Sequence, residues 1–156
     1  FEIAKKMPEK RFIFVTENNF LINTTLTNVE IINGSWGNSA ISDLKLLEIY
    51  CKAKLVILPL LNTLQPSGQS VSLQAMSVGI PVMISLTEGF WDIENFSNFE
   101  NIMFVENSST ETWIDLINNV FEDTELLHTI SKNGKVLVNE QYSLQNLNTF
   151  LDKQIS

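Results

Sequence analysis

Leu55-Val56-Ile57-Leu58-Pro59-Leu60-Leu61-Asn62-Thr63-Leu64-Gln65-Pro66-Ser67-Gly68-Gln69-Ser70-Val71-Ser72-Leu73-Gln74-Ala75-Met76-Ser77-Val78-Gly79-Ile80-Pro81-Val82-Met83-Ile84-Ser85 decides the fold. Leu55 to Leu58 is a continuous apolar run stopped by Pro59, as expected of a strand covered on both faces. A polar loop follows from Pro59 to Gln69. Val71 to Val78 then reads as a short helix, closed by Gly79 and Pro81. Val82 to Ser85 is a second buried strand. Strand, crossover helix and strand in this order are the repeating unit of a parallel sheet.

The same alternation extends outward. Phe12 to Val15, Val29 to Ile32 and Ile102 to Val105 are further apolar runs, which makes a set of five strands. Leu44, Leu47 and Cys51 share one helical face. Trp113, Leu116, Ile117 and Val120 form an apolar stripe, with Ser108 and Glu111 spaced as a capping box before it. Leu127 and Ile130 begin another stripe, and Leu144, Leu147 and Leu151 begin the last. The expected fold is α/β: one domain over residues 1–156, a doubly wound, mostly parallel, Rossmann-like sheet of about five strands with helices on both faces. Such sheets bind ligands beyond the carboxyl ends of their strands.

Composition narrows the function. The 156 residues are 44% hydrophobic and 18% charged, which fits a folded globular chain and excludes a disordered one. No apolar run approaches the roughly 20 residues that span a bilayer. A net charge of −8 argues against a nucleic-acid partner. The single cysteine, Cys51, excludes an internal disulfide and suits a reducing, cytoplasmic setting; within its apolar helical pattern it reads as a small buried hydrophobe. The opening Phe1-Glu2-Ile3-Ala4-Lys5-Lys6 is not a signal peptide and reads as a chain entered midway through a helix, so a fragment is expected.

The candidate site is the loop before the central helix. Gly68 lets a ligand approach the backbone, and the amides at the helix start favour an anion such as a diphosphate. Ser67 and Ser70 can donate hydroxyls to it or can cap the helix, and both can hold. Gln74, one turn on, can bond sugar hydroxyls or simply face solvent. Glu88 and Asp92 follow a strand, where catalysis is feasible, but ordinary loop residues are the stronger reading; no catalytic residue is assigned. Trp91 and Trp36 read as cover over the core. His128 reads as a helix-surface residue, and with Cys51 it offers no metal-ligand spacing, so no metal is expected.

Pro66-Ser67-Gly68-Gln69-Ser70 with Gln74-Ala75-Met76-Ser77-Val78-Gly79-Ile80-Pro81-Val82 resembles the donor-site segment of the retaining glycosyltransferases of the GT-B fold, group 1 or family 4 type. That segment typically carries an acid, seven residues, a second acid, Ala-Met, a small residue, Gly, any residue and Pro-Val; some members have Ser-Gly-Gln in its first half. Tyr50 to Pro59, Glu88 to Asp92 and Asn101 to Val105 resemble the flanking segments, so the likeness runs from about residue 4 to the end.

The resemblance implies a nucleotide-sugar-binding C-terminal domain. Its parent enzyme would transfer a sugar from a nucleoside-diphosphate donor, with retention, to an acceptor held by an N-terminal domain absent here. It implies donor diphosphate on Ser67, Gly68, Gln69 and Ser70, and donor ribose or sugar on Gln74, Gln65 and Thr63, with no cofactor beyond the donor substrate. The resemblance leaves room for peripheral membrane contact through the absent half, since many relatives act on lipid-linked acceptors. The departures are specific. The family's first acid falls on Pro66 and its second on Gln74. The opening strand with its Gly-Arg and Lys is missing, so the sheet should lack its first strand. Phe12 to Val15 runs into Thr16-Glu17-Asn18-Asn19 where the family has Gly. Two other readings stand beside this one: a nucleotide-sugar epimerase of similar fold, and a non-catalytic Rossmann-like partner-binding domain.

Overall fold

The computed structural model describes residues 1–16, 25–34, 41–106 and 109–146. Five strands form where the five apolar runs lie: β1 (Phe12–Thr16), β2 (Val29–Asn33), β3 (Val56–Leu58), β4 (Val82–Ser85) and β5 (Met103–Val105). The helices are α1 (Glu2–Lys6), α2 (Asp43–Lys52), α3 (Gln69–Ser77), α4 (Thr110–Glu122) and α5 (Thr124–Gln141).

All the pairing is parallel, but it falls into two sheets and not the single five-stranded one expected. β1 pairs β2 with Phe12 opposite Val29, and β4 lies between β3 and β5, with Val56 opposite Val82 and Met83 opposite Met103. In a doubly wound sheet a further strand lies between two such sets; none of the described residues fills that place, so β1 and β3 are both edge strands. Burial bears this out. Every residue of β4 and β5 is buried, whereas β3, an equally apolar strand, is only partly buried throughout, and Val15 on β1 is 43% exposed.

Both faces of the β3–β4–β5 sheet are covered, because side chains alternate along each strand. Val82, Ile84, Ile102 and Phe104 point to one core with Tyr50, Ala75, Met76 and Val138 from α2, α3 and α5. Met83, Met103 and Val105 point to the other, with Met7, Trp113, Ile117, Val120 and Ile130. Gly134 brings α5 close to α3; a Cβ there would stand 3.2 Å from Met76 Cε and 2.9 Å from the Asn101 carbonyl oxygen. Asn28 ties α1 and the following turn to β2, its Nδ2 lying 2.9–3.0 Å from the carbonyls of Ala4, Met7 and Lys10.

Three local expectations are corrected. α2 buries Tyr50 and half-buries Leu46, Ile49 and Ala53, leaving Leu44, Leu47 and Cys51 on solvent. Cys51 is therefore an exposed thiol and not a small core residue. Both stripes of α2 have helical spacing, and only the neighbouring elements select between them. The cap of α4 is Ser109, whose Oγ accepts from Thr112 N at 3.1 Å; Glu111 falls one residue short of the box position and pairs with Lys6 on α1. Leu144 is exposed. Trp36, Ser108, Leu147, Leu151 and the Glu17-Asn18-Asn19 segment lie outside the described residues. No helix among the described residues is long and apolar enough to cross a membrane.

Candidate functional site

The candidate site lies at the carboxyl ends of β3 and β4, where two loops meet. Leu60 N donates to Ser85 Oγ at 2.9 Å, which fixes the exit of β3 against the end of β4. Asn62 and Glu88 then bond reciprocally. Asn62 Nδ2 donates to Glu88 Oε1 at 2.9 Å, and Glu88 N donates to Asn62 Oδ1 at 3.0 Å. Gly89 N donates to the Thr63 carbonyl at 2.8 Å. A Cβ on Gly89 would stand 2.4 Å from the Leu64 carbonyl carbon and oxygen, so the loops touch backbone to backbone.

This clamp delivers the chain to Gly68, the N-cap of α3, at φ 77° in the left-handed region. Its α-carbon packs tightly on the sheet: a Cβ would meet Ile84 Cδ1 at 3.0 Å, Leu60 Cδ1 at 3.3 Å and Leu58 Cδ1 at 3.4 Å. A glycine N-cap has no side chain to accept from the first-turn amides, and none caps α3. Of the two roles open to Ser67 and Ser70, capping is therefore excluded. Ser67 stands one residue before the cap, with its Oγ directed to the Gln65 carbonyl at 3.5 Å, and Ser70 lies within the first turn. The helix start thus presents amides on the exposed residues Gln69 and Ser70 at the positive end of the dipole, with no acidic residue in the first turn.

The remaining residues divide. Gln74 is exposed one turn further along α3, and the hydroxyl of buried Tyr50 donates to its Oε1 at 3.2 Å. Gln65 and Pro66 are exposed on the loop, beside the helix start. Thr63 is half-buried, and its Oγ1 accepts from Gln65 N at 3.1 Å, so it shapes the loop. Glu88 is the loop clamp. Asp92, at φ 43°, heads a short 3-10 turn over Ile93–Asn95 and accepts from the Tyr142 hydroxyl at 3.4 Å. Both acids thus hold structure. Trp91 stacks on Phe90 with centroids 4.2 Å apart and lies in the core, and His128 is exposed on α5.

Two features were missed in sequence. Tyr50 as a partner for Gln74 and Asn62 as a partner for Glu88 join residues 24 and 26 apart, and no local signal marks either pair. Burial pushes the Tyr50 phenol above its ordinary value. Tyr142 is also raised, chiefly by burial, against a hydrogen bond from Asn95 that lowers it. The electrostatics are spare: from Leu55 to Ser131 the chain has no Lys or Arg. Among the described residues no group of three His, Cys, Asp or Glu can hold a metal ion.

The sequence matches no protein-family model and no curated protein. Solved structures match its fold. HepE of Anabaena in complex with UDP superposes with a TM-score of 0.75 at 17% identity, over 98% of this chain and 43% of that one. A glycosyltransferase of Rickettsia africae superposes with 0.71 at 17% identity, over 99% and 42%. The C-terminal domain of the group 1 glycosyltransferase LpcC of Francisella tularensis superposes with 0.58 at 21% identity, over 75% and 55%. HepE has also been solved with UDP and glucose and with UDP-glucose. The chain spans about half or less of the length of these structures, and its fold is that of a GT-B glycosyltransferase C-terminal domain.

Proposed function

We propose that this chain binds a nucleoside-diphosphate sugar and forms the donor half of a glycosyltransferase. The observation that carries the reading is the uncapped start of α3. Gly68 in the left-handed region, pressed onto Ile84, sets the first-turn amides of the exposed residues Gln69 and Ser70 at the carboxyl end of a parallel sheet, where an anion is the natural occupant. The diphosphate would accept from the amides around Gln69 and Ser70, with Ser67 and Ser70 hydroxyls beside it. Gln74 would bond the ribose, and Gln65 and Thr63 would border the donor sugar.

In the proposed reaction the bond between the sugar's anomeric carbon and the leaving diphosphate oxygen breaks. The helix-start amides stabilise the charge that develops on the diphosphate. An acceptor hydroxyl, held by a second domain, forms the new bond and loses its proton, with retention of anomeric configuration. Donor binding is expected to be independent of metal, so that EDTA leaves it unchanged, and the parent enzyme is expected to be cytoplasmic. The absence of any cation from Leu55 to Ser131 favours the second reading, a non-catalytic domain that keeps the fold for partner binding.

Protein-observed NMR with UDP, GDP and ADP tests the two. Shifts concentrated at residues 67–74 with one nucleotide support donor binding and identify the base. No shift there at millimolar ligand refutes donor binding by this chain and favours the second reading.

A further inference from the structure

We propose that Tyr50 is the positioning residue of the ribose subsite, holding Gln74 so that the subsite reads ribose by donating hydrogen bonds to its oxygens. The inference rests on the donor-site reading and deepens it. Tyr50 is 7% exposed on α2, and its hydroxyl donates to Gln74 Oε1 at 3.2 Å. The phenol is a donor throughout the physiological range, since burial disfavours its ionised form. With the carboxamide oxygen drawn inward to the phenol, the amide nitrogen is the end left to the exposed side of Gln74, and it carries two N–H donors and no acceptor. A carboxylate at the same place would present an acceptor and a negative charge. In a chain of net charge −8, with no Lys or Arg from Leu55 to Ser131, that charge would repel the neighbouring diphosphate. The neutral, oriented amide holds the sugar without that repulsion.

The test compares the best-binding of UDP, GDP and ADP with its 2′,3′-dideoxy counterpart, on the full chain, by titration calorimetry. The wild type should prefer the ribonucleotide by roughly three- to tenfold, the range of one or two neutral hydrogen bonds. Tyr50→Phe should lower the ribonucleotide to the dideoxy level while the dideoxy affinity stays the same. Gln74→Leu, an exposed change that leaves the core alone, should do likewise. If Tyr50→Phe weakens both nucleotides equally, Tyr50 serves the fold only and the proposal fails. It also fails if either variant keeps the preference. A wild type that binds both nucleotides equally overturns the proposal and leaves donor binding standing. One that binds neither overturns both.

Discussion

Gly68→Ala isolates the feature on which the proposed donor site depends. The residue sits at φ 77° as the N-cap of α3, and its missing Cβ would stand 3.0 Å from Ile84 Cδ1, inside a fully buried side chain. A non-glycine residue in the left-handed region costs about 1–2 kcal/mol. Moving the Ile84 methyl aside in a packed core adds to this, within the roughly 1–3 kcal/mol typical of overpacking. At about 2–4 °C per kcal/mol for a domain of this size, the backbone term alone lowers Tm by about 2–8 °C. Gly68→Asn should recover part of the backbone cost, since asparagine tolerates this conformation, but none of the packing cost. Urea unfolding gives the stability of each variant, and the nucleotide titration gives the site. The expectation is a loss of stability together with loss of shifts at residues 67–74, because the amides can keep their aim only while Gly68 lies on Ile84. A Gly68→Ala protein with wild-type stability would show that neither the conformation nor the contact matters, and the account of the helix start would be wrong.

Gly89→Ala places a Cβ 2.4 Å from the Leu64 carbonyl, against backbone that cannot rotate away, so it should cost more than Gly68→Ala in the same urea assay and break the Gly89–Thr63 bond; an equal or smaller cost would refute the clamp. Asn28→Ala removes the donor shared by the Ala4, Met7 and Lys10 carbonyls and should cost about 1–3 kcal/mol, the penalty for part-buried groups left unpaired; a neutral result would mean water replaces Asn28 fully. Both tyrosines of the chain are raised by burial in the folded state. The unfolded chain therefore loses these protons first as pH rises past about 10, and stability falls from there upward. Unfolding at pH 8–11 should show that fall in the wild type and a shallower one in a Tyr50→Phe, Tyr142→Phe double variant.

The strands were legible because each is an apolar run bounded by turn residues. All five form with ends shifted by no more than one residue. The division of the sheet was not legible in any local run, since which edges stay open depends on strand order. α2 was misread because Leu44, Leu47 and Cys51 and the series Leu46, Ile49, Tyr50 and Ala53 are both apolar with helical spacing. Contact with α3 and the sheet decides for the second. At the site, the sequence assigned the missing side chain of Gly68 to a ligand's approach, whereas Ile84, Leu60 and Leu58 fill that space. That Gly68 displaces Ser67 from the cap follows from contacts with Leu58, Leu60 and Ile84, which sequence spacing does not encode.

The two halves of the divided sheet bear unequally on the site. Everything that aims the start of α3 comes from residues 50–96: Tyr50 on Gln74, Ser85 on Leu60, Asn62 with Glu88, Gly89 against Leu64 and Gly68 against Ile84. This half has a three-stranded ladder and helices on both faces, and none of the hydrogen bonds that aim α3 comes from β1 or β2. The charge is another matter. The described loops around α3 bring no cation, so under the donor-site proposal amides alone would oppose a diphosphate in a chain of net charge −8. Geometry and affinity therefore separate: residues 50–96 shape the proposed site, while its affinity for a nucleotide would be set by positive charge that these residues do not supply.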